Sequence, residues 1–367
     1  MNKKLIALAI AGVVAAPAAL AESANPVTLY GLVDVAFDSA RSSGGATVST
    51  RNRVTNQFSR LGVRGTEDLG GGLKAFFQIE SQVNPDDACG QGGNPATGTL
   101  PNGGCAIGTN NGKGLGSRNS AVGLQGGFGS VLLGRWDTPY KIATISLDPW
   151  GDVTNAAYSN IMHDRGNFDR RENNAVQYWT PSLSGFSARV HYSANEAKNA
   201  GINPSTVSFS GTYARGPFTI VAAYEKHNDQ LGAGAVQGVD EKGTEIGGSF
   251  KIGGLKLGLM FEKIKKTGLS DQKNAYASAA FDMGKVQWVG TYGKSKEGLA
   301  SGALQPDSKS ASIGVKYNMS KRTMVYSVYT SVKNNGSALV SNLGNSLGGV
   351  GPNSQPKALA VGIQHTF

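Results

Sequence analysis

Bulky apolar side chains recur at every second position in some sixteen stretches of this chain, and the residues between them are small or polar. The final stretch is the clearest. Leu359, Val361, Ile363, His365 and Phe367 fall on one parity, and Ala358, Ala360, Gly362, Gln364 and Thr366 on the other. A strand points successive side chains to opposite faces, so each stretch has one greasy face and one small or wet face. After the N-terminal leader, no window approaches the roughly 20 apolar residues of a membrane-spanning helix. A soluble domain of 367 residues with 39% hydrophobic residues and 52 glycines would be short of core. A wide membrane barrel needs one apolar face per strand, because lipid covers that face and water fills the lumen. The pattern predicts an all-β fold, a 16-stranded antiparallel transmembrane β-barrel.

The leader reads as an export signal. Lys3 and Lys4 precede the apolar run Leu5–Leu20, and Ala19-Leu20-Ala21 is a small-x-small cleavage site. Residues 1–21 are expected to be removed, leaving 22–367 as a single barrel domain that starts at Glu22. The run is short for a membrane anchor, and its downstream flank is polar. Losing Lys3 and Lys4 lowers the basic count from 35 to 33 against 25 acidic residues, a mature charge of +8. A basic balance fits nucleic acid in general, but export removes that partner.

Cys89 and Cys105 share the Gly/Asn/Pro-rich segment Asn84–Gly116. In an oxidising compartment the favoured reading is a disulfide closing a small loop, worth about 3 kcal/mol in the chain-entropy model. Two thiols with no histidine nearby lack the ligand count for a metal, and no cofactor is expected.

The strands come in pairs. Val27–Phe37 is the first, followed by a polar loop from Ser39 to about Asn52. The second runs near Phe58–Glu67 and reverses at Asp68–Gly72. Later pairs flank Gly126–Gly129, Pro181–Gly185, Arg215–Pro217, Gly253-Gly254, Met283–Lys285 and Asn318–Arg322, all rich in residues that permit tight reversal. Connections between pairs, such as Ala194–Pro204, Asn228–Glu241 and Asn334–Gln355, are long, polar and Gly-rich. Short periplasmic turns on one rim and long outer loops on the other is the layout of an outer-membrane barrel. No fixed period or repeated motif points to a soluble β-repeat.

The inner parity carries the candidate chemistry. Leu61 and Val63 face outward, so Arg60 and Arg64 face the lumen, as do Lys74, Gln78 and Glu80 on the third strand. Arg171, Arg189 and His191 follow on later strands. Arg60, Arg64 and Lys74 on adjacent strands repel one another unless an anion or an acidic surface faces them. The segment at about 137–172 is too long for an ordinary connector. It holds Leu147-Asp148-Pro149-Trp150-Gly151-Asp152 and the apolar anchors Ile142, Ile145, Leu147, Val153 and Ile161, which an outer loop does not need. It is expected to fold into the lumen and set Asp148 and Asp152 against the Arg60/Arg64 wall. Opposed rows of charge filter ions by sign and solutes by size. The alternative is an external flap with no gating role.

Four motifs add a family resemblance. They are Val27-Thr28-Leu29-Tyr30-Gly31, then Ser59–Gly65 with Glu67-Asp68-Leu69-Gly70, then Gly123–Ser130 running into Leu133-Gly134-Arg135, and the terminal Phe367. Together they resemble the general, trimeric, sixteen-stranded porins of Gram-negative outer membranes, over the whole mature chain. The resemblance implies a homotrimer that contacts outer-membrane lipid and lipopolysaccharide and passes small hydrophilic solutes. It implies that the third long loop is the constriction loop, with Asp148 and Asp152 in a shorter, reordered version of its acidic turn. It places Arg60 and, by position, Arg118 on the constriction wall, although Arg118 shares the outward parity of Val122 and Leu124. Phe367 resembles a barrel-assembly signal. The family's second long loop latches a neighbouring subunit, and the Cys89–Cys105 insert departs from that pattern.

The chain therefore reads as a passive diffusion channel with an eyelet of Arg60, Arg64 and Lys74 against Asp148 and Asp152. Its charge and arginines favour mild anion preference. A substrate-specific channel is an alternative, since Trp136, Trp150 and Trp179 lie near the constriction segment, yet without repeated spacing. An outer-membrane enzyme needs a nucleophile beside a base. His163, His191, His227 and His365 are scattered, and no G-x-S-x-G is present.

Overall fold

The computed structural model describes residues 27–45, 47–86, 115–151, 155–163, 167–194, 196, 198–231, 234–268, 271–297, 307–336 and 341–367. Seventeen strand segments form one antiparallel sheet that closes on itself. Two of the segments are arms of a single strand, so the barrel has 16 strands. These are β1 (Val27–Gly44), β2 (arms Val48–Asn56 and Arg60–Gly70), β3 (Leu73–Gln82), β4 (Ser120–Gly126) and β5 (Gly129–Asp137). Next come β6 (Arg171–Trp179), β7 (Phe186–Ala194), β8 (Ser205–Arg215), β9 (Phe218–Asn228), β10 (Glu241–Ile252) and β11 (Leu255–Lys266). The wall is completed by β12 (Gln272–Met283), β13 (Val286–Glu297), β14 (Asp307–Asn318), β15 (Thr323–Asn335) and β16 (Ser354–Thr366). The seam pairs β1 with β16, from Leu32↔Thr366 to Gly44↔Ser354. Among the described residues no helix is long and apolar enough to cross a membrane.

Burial is inverted relative to a water-soluble sheet. On β16, Leu359, Val361 and Ile363 are about half exposed, at 50%, 56% and 51%, whereas Ala358 and Ala360 are buried. Leu29, Phe37, Ile220, Ile246, Leu259 and Ile313 repeat this around the wall. Each such side chain left in water forgoes about 1.5–3 kcal/mol. Lipid on the outer face removes that cost, and closure removes the edges that an open sheet would expose.

Strand pairing corrects one expectation. The stretch expected as a loop, Ser39 to Asn52, is mostly paired. β1 continues to Gly44, and the first arm of β2 begins at Val48. Here the backbone of β1 has partners on both sides, β16 and β2, so its polar side chains do not end the strand. β2 breaks at Phe58, whose φ is +61°. The break is stitched to β1, where the Asp34 carbonyl accepts from Gln57 N–H at 2.9 Å and from the Ser59 hydroxyl at 3.1 Å.

The long segment between β5 and β6 folds into the lumen, as the anchors predict. It opens with the helix α1 (Pro139–Ile145), capped by the Thr138 hydroxyl and started by Pro139 at a position that needs no N–H. Tyr140, Leu147, Tyr158, Ile161, Met162 and Phe168 bury against Val221, Met260, Ile264 and Tyr276 of the wall. The small inner parity permits this close approach. A Cβ on Gly293 would lie 2.4 Å from Ile161, and one on Gly314 would lie 2.7 Å from Trp150.

Candidate functional site

The inward segment and the facing wall bound a constriction. Its basic side comes from β2, the turn before β4, and β6. Arg60 Nε lies 3.8 Å from Glu80, and Arg118 Nε donates to the same carboxylate at 2.6 Å. Arg171 reaches Asp137 at 2.9 Å, and Lys141 of α1 lies 3.4 Å from Asp137 and 3.2 Å from Asp169. Arg64 stacks 5.0 Å over the Tyr30 ring, whose hydroxyl donates to Glu80 at 3.1 Å. Four of these cations share the three carboxylates Glu80, Asp137 and Asp169, and Arg64 rests on the Tyr30 ring.

Arg118 is thus lumenal, against the parity extrapolated from Val122. Regular strand begins only at Ser120, and the chain bends through residues 115–119, so alternation does not carry back across the bend. The Arg118 N–H donates to the Glu80 carbonyl at 2.9 Å, which holds the residue on the inner wall. Lys74 does not join the group. Register sets Arg60 opposite Gln82 and Lys74 opposite Asp68. That is eight residues along β2 from Arg60, about 27 Å at strand rise, near the short-turn rim.

Asp148 lines a cavity of about 310 Å³ together with Arg60, Asp34, Lys316 and Gln364. Its carboxylate is nonetheless engaged in holding the turn. Oδ1 accepts from the Tyr276 hydroxyl at 2.9 Å and from Trp150 N–H at 3.0 Å, and Oδ2 accepts from Tyr158 N–H at 3.3 Å. The turn is pinned further by Trp150 Nε1 donating to Ser312 at 3.2 Å, and by Lys316, which donates to the Pro149 carbonyl. Asp152, Cys89 and Cys105 lie outside the described residues, as does the segment 1–21.

Beneath α1 the acids are hidden. Glu225, Glu241, Glu245 and Glu262 are all buried. Glu262 accepts from the Tyr140 hydroxyl at 2.6 Å and from His163 N–H at 2.8 Å, while His163 Nε2 lies 2.9 Å from Glu245. Burial and the Glu262 charge push the Tyr140 hydroxyl well up, so it stays a donor. Burial alone would lower the His163 imidazole, but Glu262 and Glu245 outweigh it and push it up to about 9. The sequence signals lumenal loop anchors but not this bed of buried charge.

A second outer loop also turns inward, unforeseen from its polar composition. Between β15 and β16, Leu343 and Leu347 bury against Ala40, Val332 and Ala358. Asn345 N–H donates to Asn155 Oδ1 at 3.0 Å, tying this loop to the constriction segment. Arg53, paired with Asp38 at 2.8 Å, donates to the carbonyls of Ser346 at 2.8 Å and Asn345 at 3.1 Å. The signal was the pair of leucines in an otherwise polar stretch.

A barrel with a greasy exterior, a wet lumen and an inward loop is a channel by construction. The family model described as Gram-negative porin matches residues 7–337. The chain belongs to the Gram-negative porins. This porin is 30% identical over 388 aligned residues to outer membrane porin protein 32 of Delftia acidovorans, with both chains covered in full. It is 27% identical over 402 residues to major outer membrane protein P.IB of Neisseria sicca, again over both full lengths. Among solved structures it is similar to an anion-selective porin from Comamonas acidovorans, at 25% identity and a TM-score of 0.74, covering 94% of this chain and 100% of that one. The porin is a passive channel of the outer membrane, not an enzyme.

Proposed function

We propose that the eyelet favours small anions, with Arg60, Arg118 and Arg171 as its cationic wall and Arg64 nearby. One observation carries this reading. Arg60 and Arg64 keep access to water, whereas Glu80 and the four glutamates under α1 lose it. Arg60 has 31% of its side chain exposed, whereas Glu80 has 9% and the four glutamates under α1 are buried. Burial and pairing mute a carboxylate's pull on a passing ion, and a solvent-facing guanidinium keeps its own. The name of the Comamonas relative, an anion-selective porin, supports the same sign. Asp148 serves chiefly to hold the loop. The test is the reversal potential of single channels in planar bilayers under a KCl gradient. Anion sign is expected, and cation sign overturns the proposal.

The finer organisation is proposed on sequence grounds. The mature chain is 22–367, Cys89 and Cys105 are bridged, and Phe367 serves in barrel assembly. The porin works as a homotrimer in contact with lipopolysaccharide. Intact mass under non-reducing and reducing conditions tests the first two points, and native mass spectrometry in detergent tests the trimer.

A further inference from the structure

Glu245 of β10 and Glu262 of β11 stand directly opposite each other on the inner parity, beneath α1. Both side chains are sealed from solvent, and like charges placed so destabilise a sheet. Among the described residues, their one ion-pair partner is His163 of the constriction segment. Nε2 of that imidazole lies 2.9 Å from Glu245 Oε2, 3.9 Å from Glu262 Oε1 and 3.4 Å from the Thr144 hydroxyl. A proton on Nε2 serves one of these oxygens well and leaves the charge of the other carboxylate unanswered. The neighbouring His227 is built differently. Its two nitrogens take one carboxylate each, Nε2 meeting Glu225 at 2.8 Å and Nδ1 meeting Glu241 at 3.1 Å.

A second observation points the same way. Glu245 Oε1 is buried with no hydrogen-bond partner among the described residues. A bare buried carboxylate oxygen is costly, and coordination to a cation removes that cost. Glu262, by contrast, is firmly aimed. It accepts from the Tyr140 hydroxyl at 2.6 Å, from the Asn274 amide at 2.6 Å and from His163 N–H at 2.8 Å. Contacts of this kind orient a ligating carboxylate.

We propose that His163, Glu245 and Glu262 bind a zinc ion that rivets the constriction segment to the barrel wall. One imidazole and two carboxylates form a donor set suited to zinc, whereas magnesium and calcium favour oxygen alone. Ligands about 2.0 Å from a tetrahedral zinc lie about 3.3 Å apart, and the separations of 2.9 and 3.9 Å bracket that value. The Thr144 hydroxyl stands near enough to complete the set, 3.4 Å from Nε2 and 3.3 Å from Glu245 Oε2. The metal displaces the Nε2 proton, which the metal-free porin keeps, and brings two charges where the proton brings one. Both opposed glutamates are then neutralised. Because the site is sealed, the metal enters as the chain folds. The site shares no residue with the proposed cationic wall, so its failure and that of the anion preference are separable.

The test uses the untagged full-length porin, unfolded, stripped with EDTA and refolded into detergent with zinc chloride, or in parallel with magnesium or calcium chloride. After desalting, elemental analysis should find one zinc per chain and at least tenfold less magnesium or calcium. X-ray absorption at the zinc edge should show one nitrogen ligand among oxygens at about 2.0 Å. H163Q and E245Q should each retain at least tenfold less zinc, and H365Q, altered at an exposed histidine, as much as wild type. Zinc should raise the wild-type Tm by several degrees and leave that of E245Q unmoved. Refolded wild type that retains at least tenfold less than one zinc per chain overturns the proposal, as does wild-type retention by folded E245Q. Loss of the zinc in H365Q also overturns it, by marking an adventitious surface ion only. If the buried variants do not fold, the edge spectrum of the wild type still decides, because an all-oxygen shell excludes His163.

Discussion

Neutralising Arg60 tests the eyelet with little collateral damage, because R60Q strands no charge. Glu80 keeps Arg118 at 2.6 Å and the Tyr30 hydroxyl at 3.1 Å. An ion one water layer from the guanidinium sits roughly 5 Å away, which at the dielectric of water is about 0.8 kcal/mol. With a Debye length of about 10 Å at 0.1 M salt, about 0.5 kcal/mol survives screening. An anion loses this attraction and a cation is freed of the same repulsion, so the two shift apart by about 1 kcal/mol. That corresponds to an anion/cation permeability ratio lower by about fivefold. The assay is the reversal potential of wild type and R60Q in planar bilayers across a KCl gradient. The difference should shrink near 1 M salt, where the Debye length falls to about 3 Å. E80Q should move the ratio the other way. A change under about 1.5-fold in dilute salt, with conductance intact, would refute the placement of Arg60 beside the ion path.

Three further outcomes follow from the loops. The His163 imidazole is pushed up to about 9, so the stability it contributes is complete below its unfolded value of about 6.5 and is lost as pH rises through about 9. Thermal unfolding in detergent should therefore show a falling Tm across that interval, absent in H163Q, and parallel curves for the two would remove the ion pairs from the account. G293A places a methyl carbon 2.4 Å from Ile161, an overpacking that costs about 1–3 kcal/mol. It should lower the unfolding midpoint and alter single-channel conductance, and wild-type values for both would show that the loop is not pressed against the wall there. R53Q releases the carbonyls of Asn345 and Ser346 from their clamp. Liposome swelling should then admit larger neutral sugars than wild type, and an unchanged cut-off would mean that the loop between β15 and β16 does not narrow the passage.

Period-two alternation made the barrel and nearly all its strands legible, because lipid outside and small residues inside impose that period directly. The inward constriction segment was legible too, since Leu147 and Ile161 have no reason to sit in a solvated loop. Arg118 was misread by parity because the chain bends before Ser120, and a one-residue slip reverses the face of every side chain. Lys74 was misjudged for a different reason. Alternation reports the face but not the height, and only register places Lys74 beside Asp68. The clamp at Arg53 joins residues almost three hundred positions apart, which no local pattern encodes. The buried glutamates were invisible because composition does not reveal which carboxylates a folded loop will cover.

The seam has a consequence for how such a molecule comes into being. Gly31 N–H donates to the Phe367 carbonyl at 3.0 Å, Phe367 N–H returns the bond at 3.1 Å, and the terminal ring fills the space where a Cβ of residue 31 would stand. The free edge of β1 is therefore satisfied only when β16 and residue 367 dock against it, so closure joins the two most distant parts of the wall. Until that pairing forms the sheet keeps two raw margins, so completion of the cylinder is all-or-none.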